Sequence, residues 1–204
     1  FAMAAIVVTS NILVQHLLGS WLTWGAFTYP FAFLVTDLMN RIYGASAARK
    51  VVLVGFITGV ICSLIGSQIM LQGDGFEFAA VPLRVAVASG VAFFCAQMLD
   101  VAIFDRLREG SWWRAPLAST FIGSIVDTAL FFTIAFSASV TIFGENADAA
   151  INWAWGPAPF LMTGPEAPLW VTLAVADWAV KVSIALIALI PFRLFITKLS
   201  PNAA

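Results

Sequence analysis

The residues best suited to binding or chemistry are charged side chains inside long apolar segments. Asp177 and Lys181 are four residues apart with the acid first, the favourable orientation for an ion pair on one helix face. Asp127 lies in STFIGSIVDTALFF, with no basic residue within a helical turn. A charge inside a membrane-spanning helix costs about 2.5–3.5 kcal/mol on insertion scales, so such groups generally face a bundle interior or a cavity.

These two placements predict different roles. The Asp177–Lys181 spacing fits a structural ion pair or a substrate contact equally well. The position of Asp127 favours a functional role. Its partner would be Lys181, a proton or a ligand. Asp127 is therefore also the candidate site for binding a coupling proton. Ser124 falls on the same helical face as Asp127, and Gly123 would allow another helix to approach closely.

A second polar set lies in two other apolar segments. Gln97 and Asp100 are three residues apart and share one helix face, where they could contact a ligand or another helix. Asp37 and Arg41 are four apart near the end of the second segment, which predicts a structural ion pair at the membrane boundary. Asn40, beside them, fits either role.

The ligand chemistry that these groups favour is a flat polar heterocycle. A carboxylate can accept two adjacent N–H donors, such as those on the edge of a guanine-like base. The 18 Phe and 8 Trp residues offer aromatic faces for stacking. This chemistry permits such a ligand but does not select it.

The composition indicates an integral membrane protein. Only 10% of the 204 residues are charged and 61% are hydrophobic, whereas a soluble domain has about 25% charged residues. A net charge of -1 gives no nucleic-acid-binding surface. Cys62 and Cys95 lie in apolar runs without a CxxC or CxxH partner, so neither a disulfide nor a metal site is predicted. No cofactor is expected.

Six apolar segments predict an all-α protein with six transmembrane helices in a single transporter domain, 1–204. Most are near the ~20 residues that cross the hydrocarbon as a helix; they are roughly 1–18, 27–43, 50–71, 83–105, 115–139 and 168–193. The stretch GAFTYPF at 25–31 is either a cavity-lining irregularity or an ordinary helix start with Pro in its first turn. The apolar opening Phe-Ala-Met suggests that the native N-terminus is missing.

The distribution of basic residues predicts the orientation. Lys and Arg fall in the connections 41–50 and 105–114 and after 192, while 19–26, 72–82 and 140–167 contain none. The positive-inside rule then places both termini in the cytoplasm. The long loop 140–167 would be extracytoplasmic, as a lid or, in the favoured interpretation, a spacer.

Several stretches carry a resemblance to a known family. They are SNILVQ at 10–15, TWGAFTYPFAFLVTDLMNRIYG at 23–44, AQMLDVAIFDRLR at 96–108, WWRAPLASTFIGSIVDT at 112–128 and DWAVKV at 177–182. Together, in this order, they resemble the queuosine precursor transporter family, also described as vitamin uptake transporters. The resemblance implies a six-helix carrier of the bacterial inner membrane. Its substrates would be 7-cyano-7-deazaguanine and 7-aminomethyl-7-deazaguanine, precursors of the tRNA nucleoside queuosine.

The family motifs coincide with most of the polar residues already described. The matching positions are Asn11, Gln15, Thr28, Asp37, Asn40, Gln97, Asp100, Asp127 and Lys181. Ser124 stands where relatives often have asparagine, and the 140–167 loop is longer than is typical. The resulting candidates for substrate binding are Asp127, Asp100, Gln97, Asp177, Lys181, Asn11, Thr28, Asn40 and Ser124.

Two functional hypotheses follow. The first is a secondary importer of deazaguanine bases that works by alternating access. The alternative is the substrate-binding membrane subunit of an ATPase-energised, ECF-type transporter, since six helices and a small size suit that class too. An enzyme is disfavoured because the sequence has no metal-ligand cluster, GxSxG elbow or P-loop. The expected partners are the base and the lipid bilayer, and a homo-oligomer is compatible with the sequence.

Overall fold

Long apolar helices make up most of the chain. The computed structural model describes residues 1–13, 17–18, 22–73 and 76–199. Its helices are α1 (Ala2–Leu13), α2 (Gly25–Thr28), α3 (Pro30–Tyr43), α4 (Ala45–Gln68), α5 (Leu83–Leu107), α6 (Arg114–Phe136), α7 (Glu145–Ala149) and α8 (Leu169–Leu199). Two 3-10 turns occupy Asn152–Ala154 and Phe160–Met162.

Three short antiparallel hairpins join some of the helices. They pair β1 (Leu17–Leu18) with β2 (Leu22–Thr23), β3 (Met70–Gly73) with β4 (Phe76–Ala79), and β5 (Pro157–Pro159) with β6 (Glu166–Pro168). Each satisfies backbone groups that a loop would leave unpaired. The structure is therefore mostly helical, as predicted, with hairpins that the all-α prediction did not include.

Four helices have the length and composition of membrane spans. These are α4, α5, α6 and α8, with 24, 25, 23 and 31 residues, and they coincide with the last four predicted segments. In the described part of the chain, α1 has 12 residues and α3 has 14, which at 1.5 Å per residue fall short of a ~30 Å hydrocarbon layer. The six-span arrangement and the cytoplasmic termini stay predictions.

The outer faces of α4 and α8 are suited to lipid. Exposed aliphatic side chains recur along both helices, namely Leu53, Ile57, Ile61 and Leu64 on α4 and Leu186, Ile187, Ile190 and Leu194 on α8. A soluble monomer rarely exposes apolar surface on this scale. The chain is therefore a multi-pass membrane protein, with its polar side chains turned toward the interior.

The helical hydrogen-bond ladder is interrupted between α2 and α3, at Tyr29. This residue ends α2 and precedes α3, whose first residue is Pro30. Proline has no N–H, so the helical hydrogen-bond ladder is interrupted here. The prediction left open whether 25–31 is irregular or an ordinary helix start. In the structure Tyr29 keeps helical dihedral angles, with φ of -57° and ψ of -39°, so the break between α2 and α3 is an interruption of the hydrogen-bond ladder at Pro30 and not an irregular backbone.

Small residues bring α5 and α6 into the most extensive helix contact of the described chain. A Cβ on Gly123 would lie 3.5 Å from the Ala96 carbonyl oxygen and 3.5 Å from the Asp100 Cβ. Gly123 thus permits the close approach that was predicted for it. The contact fixes the polar residues of α5 against those of α6.

A buried arginine ties the start of α5 to the end of α6. The Arg84 side chain is fully buried; its Nε donates to the Ile134 carbonyl at 2.8 Å and its Nη2 to the Ser137 carbonyl at 2.5 Å. These carbonyls belong to the last turn of α6, which has no helical donors for them. Nη1 forms a 2.5 Å ion pair with Asp148 of α7.

The segment 137–168 is folded onto the bundle. Ile151 and Ala154 are buried against Phe132 and Phe136 of α6, and Trp155 Nε1 donates to the Phe136 carbonyl at 2.7 Å. Ile151, Ala154 and Trp155 thus pack on α6, while much of 140–167 is exposed, and the choice between a lid and a spacer stays a prediction. The Arg84–Asp148 ion pair that helps to hold this segment joins residues too far apart in the chain for the sequence pattern to reveal.

Replacing Arg84 by lysine should destabilise the protein. The Arg84→Lys variant keeps the charge but cannot reach Asp148 and two carbonyls at once, and an unsatisfied buried polar group costs about 1–3 kcal/mol. We expect a lower midpoint of thermal unfolding in detergent. The exposed Arg49 provides the control, since Arg49→Lys should leave the midpoint unchanged. Equal midpoints for both variants would contradict the role assigned to Arg84.

Candidate functional site

A lysine between two aspartates connects α8 to α6. Lys181 Nζ lies 2.7 Å from Asp127 Oδ2, 2.5 Å from Asp177 Oδ2 and 3.2 Å from Thr128 Oγ1. Thr128 also donates to Asp177 Oδ2 at 3.1 Å. An ammonium group has three donors, and all three have acceptors here. Together with Tyr29, these residues form what we call the lysine network.

Tyr29 brings the broken helix into this network. Its hydroxyl donates to Asp127 Oδ1 at 3.2 Å, and its ring centre is 5.4 Å from Lys181 Nζ. On another side the ring meets Phe93 of α5 edge-on, at 6.1 Å between centres. Tyr29 therefore contacts α5, α6 and α8 from the point where α2 and α3 separate.

The network has more acid than base. Two ionised carboxylates and one ammonium leave one excess negative charge, while the side chains are only 4%, 6% and 16% exposed for Asp127, Lys181 and Asp177. Such a buried excess charge is costly unless donors or a cation compensate it. The site is thus suited to a ligand that brings N–H donors or positive charge, and Asp177 is its most accessible acid.

A cleft between α1, α4 and α5 reaches the network at Tyr29. Its lining includes Val7 of α1, Gly55 of α4, and Ser89 and Phe93 of α5. Tyr29 also lines it, and Gly55 allows α5 to approach closely, since a Cβ there would lie 2.9 Å from the Phe93 ring. The cleft places aromatic surface directly beside the acidic groups.

A second polar cluster lies further along α3, between α5 and α6. Asp37 accepts hydrogen bonds from Ser119 Oγ and Thr120 Oγ1, both at 3.3 Å. Asp37 and Asp100 of α5 both lie between the two hydrogen bonds that join α3 to α5, Thr36 to Gln97 and Asn40 to the Val101 carbonyl. Neither oxygen of Asp100 has a hydrogen-bond partner among the described residues. Asp37 is 2% exposed and Asp100 is 0% exposed. We call Asp37 and Asp100 the carboxyl pair.

Amide side chains adjoin the carboxyl pair on its two sides. Gln97 accepts a 2.7 Å hydrogen bond from Thr36 through Oε1, and its Nε2 has no partner in the part of the chain that the structure describes. Asn40 donates to the Val101 carbonyl at 3.0 Å. Both amides therefore hold α3 against α5.

The structure divides the predicted site residues between these places. Asp127, Asp177 and Lys181 come together in the lysine network, and the Asp177–Lys181 pair has the geometry that its spacing predicted. Gln97, Asp100 and Asn40 belong with the carboxyl pair.

Two further candidates, Thr28 and Ser124, hydrogen-bond outside both clusters. Thr28 is 2.9 Å from the Ser10 hydroxyl and joins α2 to α1. Ser124 donates to the Phe121 carbonyl of its own helix. The side chain of Asn11, and Gln15 as a whole, lie outside the described residues.

The predicted ion pair between Asp37 and Arg41 is wrong. Arg41 instead donates through Nη1 to the Arg108 carbonyl and through Nη2 to the Trp112 carbonyl, the latter at 3.4 Å. These carbonyls follow the end of α5, where helical donors are lacking. Asp37 accepts hydrogen bonds from the hydroxyls of α6 instead, so the four-residue spacing on α3 does not produce an ion pair with Arg41.

Sequence reasoning missed three hydroxyl-bearing members of the clusters. Tyr29 and Thr128 complete the lysine network, and Ser119 anchors Asp37. Thr128 directly follows Asp127, and Tyr29 precedes a proline inside an apolar segment. That second placement was the available indication, because irregular backbone at membrane depth occurs only against protein or a wet cavity.

Comparison with known proteins identifies the family. The family model described as "Putative vitamin uptake transporter" matches residues 23–196, a range that contains both polar clusters. The chain belongs to this family. It is therefore a membrane transporter and not an enzyme.

Two curated relatives support the assignment. The "Queuosine precursor transporter" of Escherichia coli (strain K12) is 36% identical over 91% of this chain and 79% of its own length. The "Probable queuosine precursor transporter" of Haemophilus influenzae is 38% identical over 83% of this chain and 66% of its own length. No solved structure matches the chain significantly.

Removing the lysine should strongly destabilise the bundle. Lys181→Met leaves two carboxylates side by side without their cation, and breaking a buried pair in this way costs about 3–5 kcal/mol. We expect a large drop in the unfolding midpoint in detergent, partly restored in the double variant Lys181→Met/Asp127→Asn. Lys198→Met removes an exposed lysine of the same helix as the control. A midpoint unchanged by Lys181→Met would rule out this arrangement.

Proposed function

We propose that this protein imports the queuosine precursors 7-cyano-7-deazaguanine and 7-aminomethyl-7-deazaguanine across the bacterial inner membrane by alternating access. The observation that carries the proposal is the excess buried acid of the lysine network, placed beside aromatic rings within the range that matches the family. The names of the two relatives supply the substrate class.

The edge of a deazaguanine suits the acids of the network. It presents a ring N–H next to an amino group, and a carboxylate can accept both hydrogen bonds. Asp127 is the proposed acceptor, because the hydrogen bond that it receives from Tyr29 is long at 3.2 Å and the base could replace it. Asp177 would add a second acceptor, and the rings of Tyr29 and Phe93 would stack on the base.

The excess negative charge accommodates both precursors. The aminomethyl group of one is a cation near neutral pH and would offset that charge directly. The nitrile of the other is neutral, so its base contributes only N–H donors. A site that has one acid more than bases can accept either, with a stronger attraction for the aminomethyl compound.

The same contacts connect helices that must separate for access. Tyr29 and Asp127 join α3 to α6, and Lys181 and Asp127 join α8 to α6. A base that takes over some of these hydrogen bonds stabilises a state in which the helices have moved apart, which is how a ligand shifts a conformational equilibrium.

Uptake by the chain alone tests the proposal. The chain is expressed in bacteria that can neither make nor import the precursors, 7-cyano-7-deazaguanine is supplied, and queuosine in tRNA is scored by gel retardation. We expect rescue, which would also exclude the alternative of a subunit that needs an ATPase. Failure of rescue, with the protein present in the membrane, would overturn a self-sufficient importer of this base.

Asp127→Asn should weaken uptake without unfolding the protein. The amide keeps the shape but loses one acceptor, and the base N–H left unpaired costs about 1–3 kcal/mol, roughly tenfold for each 1.4 kcal/mol. We expect the half-saturating concentration to rise about tenfold or more. Glu109→Gln, at a side chain that is 93% exposed, is the control. Equal uptake by both variants at equal membrane levels would remove Asp127 from the site.

A further inference from the structure

The carboxyl pair is a buried acidic site that the substrate contacts leave unused. Two carboxylates in a water-excluded place repel each other strongly, and each also loses its hydration. A nearby cation would offset this repulsion and the lost hydration. Arg41, one turn away on α3, donates to backbone carbonyls instead, and Lys181 of α8 is held by Asp127 and Asp177.

The hydrogen bonds around the pair are unequal. On α6, Ser119 and Thr120 both donate to Asp37. Asp100 is fully buried, and both of its oxygens lack a donor among the described residues. A buried carboxylate normally accepts hydrogen bonds, so a donor is missing at this position. Two groups could supply one: the Ser119 hydroxyl, which donates to Asp37 in this structure, and the Asp37 carboxyl if it carries a proton.

We propose that Asp37 and Asp100 together hold one exchangeable proton and that this proton drives import of the base. The coupling rests on the proposed function; the proton site itself does not. A proton bound from the external solution would lie between the two carboxyls, and its release to the cytoplasm would return the pair to its starting state. Two carboxyls that share one proton titrate as a unit and not as separate groups.

A crevice offers the proton a route. It runs between α3, α6 and α8 and is lined by Pro30 and Phe33 of α3, Thr120 of α6 and Leu189 of α8, as well as by Asp37. Asp37 and Thr120 are the ionisable and hydroxyl groups of its described lining. Asp37 therefore lines an opening different from the cleft that reaches Tyr29.

The two sites are connected by the same two helices. Two hydrogen bonds join the α3 region to α6 at different levels along the helices: Tyr29 donates to Asp127 at one level, and Thr120 donates to Asp37 at the next. Eight residues on α3 and seven on α6 separate the levels, or about 10–12 Å of helix. A movement of α3 against α6 that opens the lysine network must also disturb the carboxyl pair. This shared movement would couple proton and base.

A proton suits the pair better than a metal cation. Both carboxyls are buried, and a metal cation such as Mg²⁺ or Ca²⁺ would need six or more oxygen ligands, well beyond the two acids. The hydroxyls of Ser119 and Thr120 direct their hydrogens to Asp37, whereas ligands of a cation would have to direct their lone pairs to it.

Infrared spectroscopy tests the proton without any substrate. A protonated carboxylic acid has a carbonyl stretching band that shifts in heavy water. We expect the purified protein to show such a band at neutral pH, and Asp37→Asn and Asp100→Asn each to lose it, because each leaves a single carboxylate. Asp105→Asn makes the same change at a side chain of α5 that is 44% exposed and should keep the band. An unchanged band in both pair variants would overturn the proton site.

Proteoliposomes test the coupling. With the membrane potential clamped and the outside one pH unit more acidic, one proton per neutral base supports up to about tenfold accumulation. We expect the wild type and Asp105→Asn to approach that ratio with 7-cyano-7-deazaguanine. Asp37→Asn and Asp100→Asn should exchange labelled for unlabelled base but accumulate none.

The outcomes separate the two proposals. Exchange by the wild type without accumulation in a proton gradient, or accumulation driven by a sodium gradient at equal pH, would overturn proton coupling while leaving the substrate in place. Accumulation by both pair variants at the wild-type ratio would also overturn it. Absence of exchange by the wild type would instead refute the proposed substrate and with it the coupling, and the infrared band would still decide whether the pair holds a proton.

Discussion

One ammonium group between two carboxylates organises the centre of this bundle. Lys181 of α8 reaches Asp127 of α6, and Tyr29, at the break before α3, reaches the same acid from the opposite side. Without the lysine, two buried acids would repel each other away from water, and this repulsion would disfavour the packing of the four helices around them.

The helices are held together by two kinds of contact. Between α5 and α6 the contact relies on close approach at Gly123 and on Arg84, each of whose three nitrogens makes a hydrogen bond. Such contacts do not change when a small molecule arrives. Between α6 and its neighbours α3 and α8, hydroxyl, carboxyl and ammonium groups meet, and a ligand with matching groups can replace them. This contrast suggests that α5 and α6 form a fixed unit against which α3 and α8 move.

The sequence predicted what local spacing determines. Asp177 and Lys181 pair because one helix places them on the same face, and four long spans follow from apolar length. Spacing failed for Asp37 and Arg41, because the arginine found backbone carbonyls at the end of another helix that no pattern on α3 could reveal. The partner of Asp127, the contact between Asp37 and Asp100, and the folding of 137–168 onto α6 all join residues that are distant in the chain. Their prediction requires knowing which helices are neighbours.

The turn between α3 and α4 has a consequence for the surrounding lipid. A single residue, Gly44 with φ of 84°, separates the two helices, and backbone hydrogen bonds link it to Asn40 on one side and to Ala48 on the other. Glycine adopts this conformation without strain, so the junction is short and stiff. When α3 moves, α4 has to follow, and most of the surface of α4 is apolar and faces outward. Each transport cycle would therefore displace acyl chains, which makes the viscosity and thickness of the bilayer determinants of the turnover rate.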